Sequence, residues 1–131
     1  MKKNLFVSII LGIFLFTACG GKTTTLQNPT EPVNITAAQI YQEYTKNAAA
    51  ADKKYKYRPL SVEGVVREIG KDSSSTPTLL ITSDIGKTNG VYCLFNADYD
   101  TILAKLTIGQ KVTITGVGAG FDKNVILDCR H

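Results

Sequence analysis

The chain has 131 residues, 44% of them hydrophobic and 20% charged, with 15 Lys and Arg against 11 Asp and Glu and a single histidine. This is the composition of one small globular domain, neither charged enough nor poor enough in apolar residues to stay unfolded. With one histidine and three cysteines, a zinc site built from several His and Cys ligands is disfavoured from the outset.

The first element is the stretch "NLFVSIILGIFLFTACGGK", residues 4 to 22. Its apolar run from Leu5 to Phe16 falls short of the roughly 20 residues a spanning helix needs. Lys2 and Lys3 precede it and small residues follow it, the order of a secretory signal. "FTAC", ending at Cys19, resembles the lipobox of bacterial lipoproteins, with Phe16 where Leu is commoner. That resemblance implies a signal peptide over residues 1–18, removed in the mature chain, and a lipid on the Cys19 thiol. It also implies attachment to the outer membrane facing the periplasm, because Gly20 stands where inner-membrane retention uses aspartate. The signal takes two bases and no acids, so the net charge falls from +4 to +2. A nucleic-acid binder usually carries a clearer basic footprint.

Residues 19–34 then read as the lipidated cysteine and a polar Thr/Gly/Pro tether. The remaining 97 residues, 35–131, form a single domain. It opens with one expected helix, "ITAAQIYQEYTKNAAAADKKY". Thr36 as N-cap and Gln39 three residues on have capping-box spacing, and Ile40, Tyr44, Ala48, Ala51 and Tyr55 share one face. The basic end "DKKYKYR" reads as a solvated helix terminus with Tyr55 turned inward.

After Pro59 the period becomes two. "LSVEGVVREI" is the first strand, with a bulge or bend expected at Gly64. "TLLITS" and "VYCLF" are the second and third strands. A short helix, capped by Asp98 and running to Leu106, precedes "QKVTITG" and "NVILDC" as strands four and five. "GVGAG", Gly116 to Gly120, reads as a turn, since no helix follows it to receive a phosphate. The class is mainly β: a five-stranded OB-fold Greek-key barrel, with a preceding N-terminal helix and a short helix between strands three and four.

The chain resembles the tRNA_anti-like family of OB-fold proteins, many of them inferred to be bacterial lipoproteins. The residues that carry this are Tyr44, Asn47, Tyr55, Val62-Glu63-Gly64, Cys93, Phe95, Leu106 to Gly109, Val112, Gly116, Gly120, Val125, Leu127 and Cys129. They span about residues 36 to 130. Members often carry a further cysteine where this chain has Gly118. The family name records a likeness to anticodon-binding domains.

Cys93 keeps phase with Val91 and Phe95, and Cys129 with Val125 and Leu127, so both point to the interior of neighbouring strands. In an exported domain this predicts a Cys93–Cys129 disulfide. No catalytic triad, metal cluster or cofactor motif is evident, so neither catalysis nor a cofactor is expected. OB folds bind on strands two and three and through flanking loops, here expected at Lys71 to Pro77 and Gly118 to Asn124. The candidate ligand-binding residues are Arg67, Lys71, Tyr92, Phe121 and Lys123, with Tyr92 and Phe121 as exposed rings. Two rings and scattered bases make a thin nucleic-acid surface. The sequence therefore favours a lipid-anchored, non-catalytic envelope module for a protein or glycan partner. A nucleic-acid-binding domain of the anticodon-binding type is the alternative.

Overall fold

The computed structural model describes residues 31–130. The expected signal peptide, Cys19, most of the tether and His131 lie outside the described residues. The elements are β1 (Val33–Thr36), α1 (Ala37–Lys46), α2 (Ala48–Tyr55), β2 (Pro59–Lys71), β3 (Pro77–Thr82), β4 (Val91–Leu94), α3 (Asp100–Leu103), β5 (Lys111–Asp122) and β6 (Asn124–Asp128). A 3₁₀ turn, Ala97–Tyr99, leads into α3.

Five strands close the barrel in the order β2-β3-β4-β6-β5, with β2 pairing back onto β5. Closure depends on the length of β2. Its first half pairs with β5 from Pro59↔Val117 to Val65↔Lys111, and its second half pairs with β3 from Val65↔Thr82 to Lys71↔Pro77. β4 and β6 run parallel, Val91 opposite Val125 and Cys93 opposite Leu127. Inside lie Leu60, Val62, Leu79, Ile81, Val91, Cys93, Val125 and Leu127, all buried. The period-two reading places Leu60, Val62, Val91, Cys93, Val125 and Leu127 correctly, whereas Leu79 and Ile81 belong to a strand buried throughout.

Several expectations need correction. Val33 and Asn34, assigned to the tether, belong to β1, which pairs in parallel with Leu60–Glu63. The bulge in β2 falls between Val66 and Glu68, three residues past Gly64. Gly64 serves close approach instead, since a Cβ there would stand 3.0 Å from the Thr82 carbonyl and 3.1 Å from the Ala37 Cβ. The glycines at 116–120 make no turn, because β5 runs through them to Asp122. A side chain at Gly116 would meet the Asp128 carbonyl at 2.7 Å, and one at Gly118 would meet the Tyr55 carbonyl at 2.2 Å. The short helix is one turn from Asp100, which buries Leu103 and leaves Ile102 55% exposed.

The leading helix starts as expected. Thr36 Oγ1 accepts from Gln39 N at 3.1 Å, and Gln39 Oε1 accepts from Thr36 N at 3.2 Å, a full capping box. It does not continue unbroken. Asn47 is extended (φ −159, ψ 95), ending α1 and capping α2 by accepting from Ala50 N at 3.1 Å. Asparagine competes with the helix for backbone partners, so it suits a break better than an interior. The break lets α2 fold back on α1, where Tyr44 Oη donates to Asp52 at 3.0 Å and Tyr55 Oη donates to Glu43. Ala48, expected on the buried face, is exposed as a result.

Candidate binding face

Alternation along the strands decides what the barrel presents outward. Opposed residues across β2, β3, β4 and β6 make an outer row of Glu68, Leu80, Tyr92 and Ile126. A second row is Gly70, Thr78, Leu94 and Asp128. Tyr92, Leu94 and Ile126 are half-buried by their neighbours, and Leu80 is almost covered by them. The centre of the face is thus a small apolar patch with one ring. Glu68 flanks it without an ion-pair partner among the described residues. Asp128 flanks it opposite, bound by Arg130 at 2.9 Å.

The sequence-predicted residues scatter around this patch. Tyr92 lies at its centre. Arg67, the bulged residue of β2, donates through Nε to the Lys87 carbonyl at 3.1 Å. Lys71 pairs with Asp100 at 2.7 Å at the end of β2. Lys123 sits in the β5–β6 turn at φ 65, its carbonyl accepting from Asn89 Nδ2 at 3.3 Å. Phe121 does not join the face: its ring stacks on Tyr44 at 5.4 Å and meets Tyr41 edge-on at 5.9 Å, beneath α1. The loop expected over Gly118–Asn124 would have exposed that ring. The extended β5 carries it under the helix instead.

Sequence reasoning missed Leu80 and Ile126 on this face, while the phase of "VYCLF" sets Leu94 beside Tyr92, opposite Cys93. For Ile126 the signal was present in the strand phase, since it alternates with Val125 and Leu127, whereas "TLLITS" offers no apolar–polar alternation that would single out Leu80. Loop ends are held by local chemistry. Asp72 accepts from Ser74 N at 2.8 Å and Thr76 N at 3.0 Å, and the Thr76 bond leads in holding its carboxyl below the usual range. Between α1 and the β3–β4 loop lies an open cleft of about 360 Å³, lined in part by Tyr41, Gln42, Lys87 and Asn89.

Cys93 and Cys129 are both buried, and the structure holds them as free thiols. Burial first, then its hydrogen-bonding contact with Cys129, which favours the protonated form, push the Cys93 thiol well above its ordinary range. Among the described residues, no three His, Cys, Asp or Glu side chains gather where they could hold a metal ion. No described helix is long and apolar enough to cross a membrane.

The tRNA_anti-like family model matches residues 1–131. The chain belongs to the tRNA_anti-like family. Its barrel is similar to a solved structure from Klebsiella pneumoniae subsp. pneumoniae MGH 78578, provisionally named a nucleic acid-binding lipoprotein. The two are 20% identical with a TM-score of 0.61, covering 75% of this chain and 88% of that one. An OBody bound to hen egg-white lysozyme matches at 16% identity and TM-score 0.47, over 57% of this chain and 78% of that one. The comparison with curated proteins finds no match. At 20% identity the Klebsiella structure speaks to the fold alone, and the tRNA_anti-like barrel is an OB fold.

Proposed function

We propose that this tRNA_anti-like chain is a lipid-anchored, non-catalytic module of the cell envelope that binds an extended protein segment across the outer face of β3, β4 and β6. The observation that carries the reading is the makeup of that face: Leu80, Tyr92, Leu94 and Ile126 at its centre, with Glu68 and Asp128 beside them. An apolar centre with a polar rim suits a protein partner, and Glu68, which forms no ion pair among the described residues, favours a basic residue on that partner. The lipobox-like "FTAC" and Gly20 support placement on the outer membrane facing the periplasm. In that compartment Cys93 and Cys129, buried side by side, are read as a disulfide.

The name of the Klebsiella neighbour favours a second reading, single-stranded nucleic acid on the same face. That chemistry calls for several stacking rings in a basic groove. Here one ring lies on the face, while Lys71 is engaged by Asp100 and Arg67 by the Lys87 carbonyl. Fluorescence anisotropy with mixed oligonucleotides at two salt concentrations decides between the readings. We expect binding no tighter than roughly 10⁻⁴ to 10⁻⁶ M at physiological salt, the non-specific range. Sub-micromolar affinity that Tyr92→Ala abolishes would establish the nucleic-acid reading instead.

A further inference from the structure

The stretch "DKKYKYR", residues 52 to 58, splits in two. Tyr55 is 2% exposed, as a helix end packed on the core requires. Tyr57 goes the other way and is 78% exposed. Its backbone lies at φ 66, a left-handed conformation uncommon for a bulky residue. Two bonds to β5 hold it there: Tyr57 N donates to the Gly118 carbonyl at 2.8 Å, and Gly118 N donates to the Arg58 carbonyl at 3.0 Å. The ring is therefore presented by a pinned turn. Strain that the surroundings over-determine in this way is a mark of functional positions.

The cations in this stretch other than Lys54 form no ion pair among the described residues. Lys56 Nζ stands 5.3 Å from the Tyr57 ring centre. Among the described residues Lys53, Lys56 and Arg58 form no ion pair, and Arg58 Nε is buried without a hydrogen-bond partner. The acids close by are already engaged. Glu43 binds Lys54 at 2.8 Å and also accepts from Tyr55, while Asp52 accepts from Tyr44. An exposed tyrosine next to Lys56 and Arg58 in the chain and just past the helix end that carries Lys53, none of the three in an ion pair, matches an anionic surface with an apolar layer beneath it.

The position in the chain says which surface. β1 runs parallel to β2 with Val33 opposite Leu60, so the segment leading back to Cys19 enters the barrel at the end where Arg58 stands. Val33, Lys54 and Tyr55 line one groove there. Thirteen residues, Gly20 to Pro32, separate Cys19 from β1. As a flexible coil they reach about 20 Å.

We propose that Lys53, Lys56, Tyr57 and Arg58 form a second membrane contact, in which Tyr57 enters the headgroup layer and the three cations bind phosphates of anionic phospholipids. The proposal rests on the lipid anchor at Cys19 and is independent of what the outer barrel face binds. The chain contains no tryptophan, so Tyr57→Trp in the full-length lipidated protein supplies a single reporter. The protein is reconstituted on phosphatidylcholine vesicles with and without phosphatidylglycerol, and flotation is scored alongside fluorescence. We expect a blue shift and quenching by headgroup-labelled lipid on the phosphatidylglycerol vesicles. The response should weaken about five-fold for each of Lys53→Gln, Lys56→Gln and Arg58→Gln, and in high salt. Circular dichroism confirms that each variant folds, and salt alone repeats the test without mutation. Protein that floats but keeps the emission of a water-exposed tryptophan overturns the contact and leaves the anchor standing. Protein that fails to float overturns the anchor and this proposal with it. A stronger response to a single-stranded oligonucleotide than to phosphatidylglycerol vesicles also overturns it.

Discussion

Cys93 and Cys129 show how far single residues could be read in advance. Their phase along two strands places both inside, and the structure buries both. Their union is expected of the exported protein, where it would close a loop of about 36 residues and add about 3–4 kcal/mol to stability. Non-reducing peptide mapping of protein purified from the periplasm without reductant should recover the two peptides linked. Two thiols that alkylate freely would refute the pairing. Gly118 was harder to read. The sequence marks it only as the place where relatives often carry cysteine, and within "GVGAG" it looks like turn chemistry. Its role is set by Tyr55, 63 positions earlier, whose carbonyl leaves no room for a Cβ. Gly118→Ala should therefore cost about 3 kcal/mol in urea unfolding, at the upper end for overpacking. Gly70→Ala, where the nearest atom is Thr78 Oγ1 at 3.9 Å, should stay within about 0.5 kcal/mol of wild type.

At the scale of elements, local signals were legible and distant ones were not. The capping box at Thr36 and the alternation of β2, β4 and β6 are written in residues a few positions apart. β1 is not: four residues, Val33 to Thr36, become a strand only because Leu60–Glu63 offers them an edge. The length of β5 was hidden for the same reason, since its glycines answer to α2 and β6. Asn47 could have announced the break between α1 and α2, because asparagine prefers caps to helix interiors. The joint it creates has a pH signature. Burial first, then the bond to Asp52, raise the Tyr44 hydroxyl above the ordinary tyrosine range. Burial first, then the bond to Glu43, do the same for Tyr55. Both groups hold their protons more tightly folded than unfolded, where tyrosine titrates near about 10. Their contribution is whole below that pH and is lost as pH rises towards the raised folded values. Thermal midpoints by circular dichroism should therefore fall above about pH 10, and more steeply for wild type than for Tyr44→Phe. Equal slopes would show that the helix joint does not couple to these hydroxyls.

For the whole molecule, the order of strands and helices was enough to name the barrel, because an OB fold is defined by that order. The proposed binding face was only half legible. Tyr92 was identified and lies at its centre, whereas Phe121 was claimed for the surface and is held beneath α1 by Tyr41 and Tyr44. Faces are built from residues brought together across strands, and their neighbours become known only when the register is. The account places an apolar patch edged by Glu68 on an envelope protein and assigns it a protein partner. The most direct measurement replaces Tyr92 with a photocrosslinking amino acid in the full chain, in cells of its native host, and identifies the adduct by mass spectrometry. The account predicts a discrete envelope-protein adduct that Ile126→Asp removes while the chain stays folded and membrane-bound. An adduct with nucleic acid, or no adduct from a chain that is folded and lipidated, would contradict it.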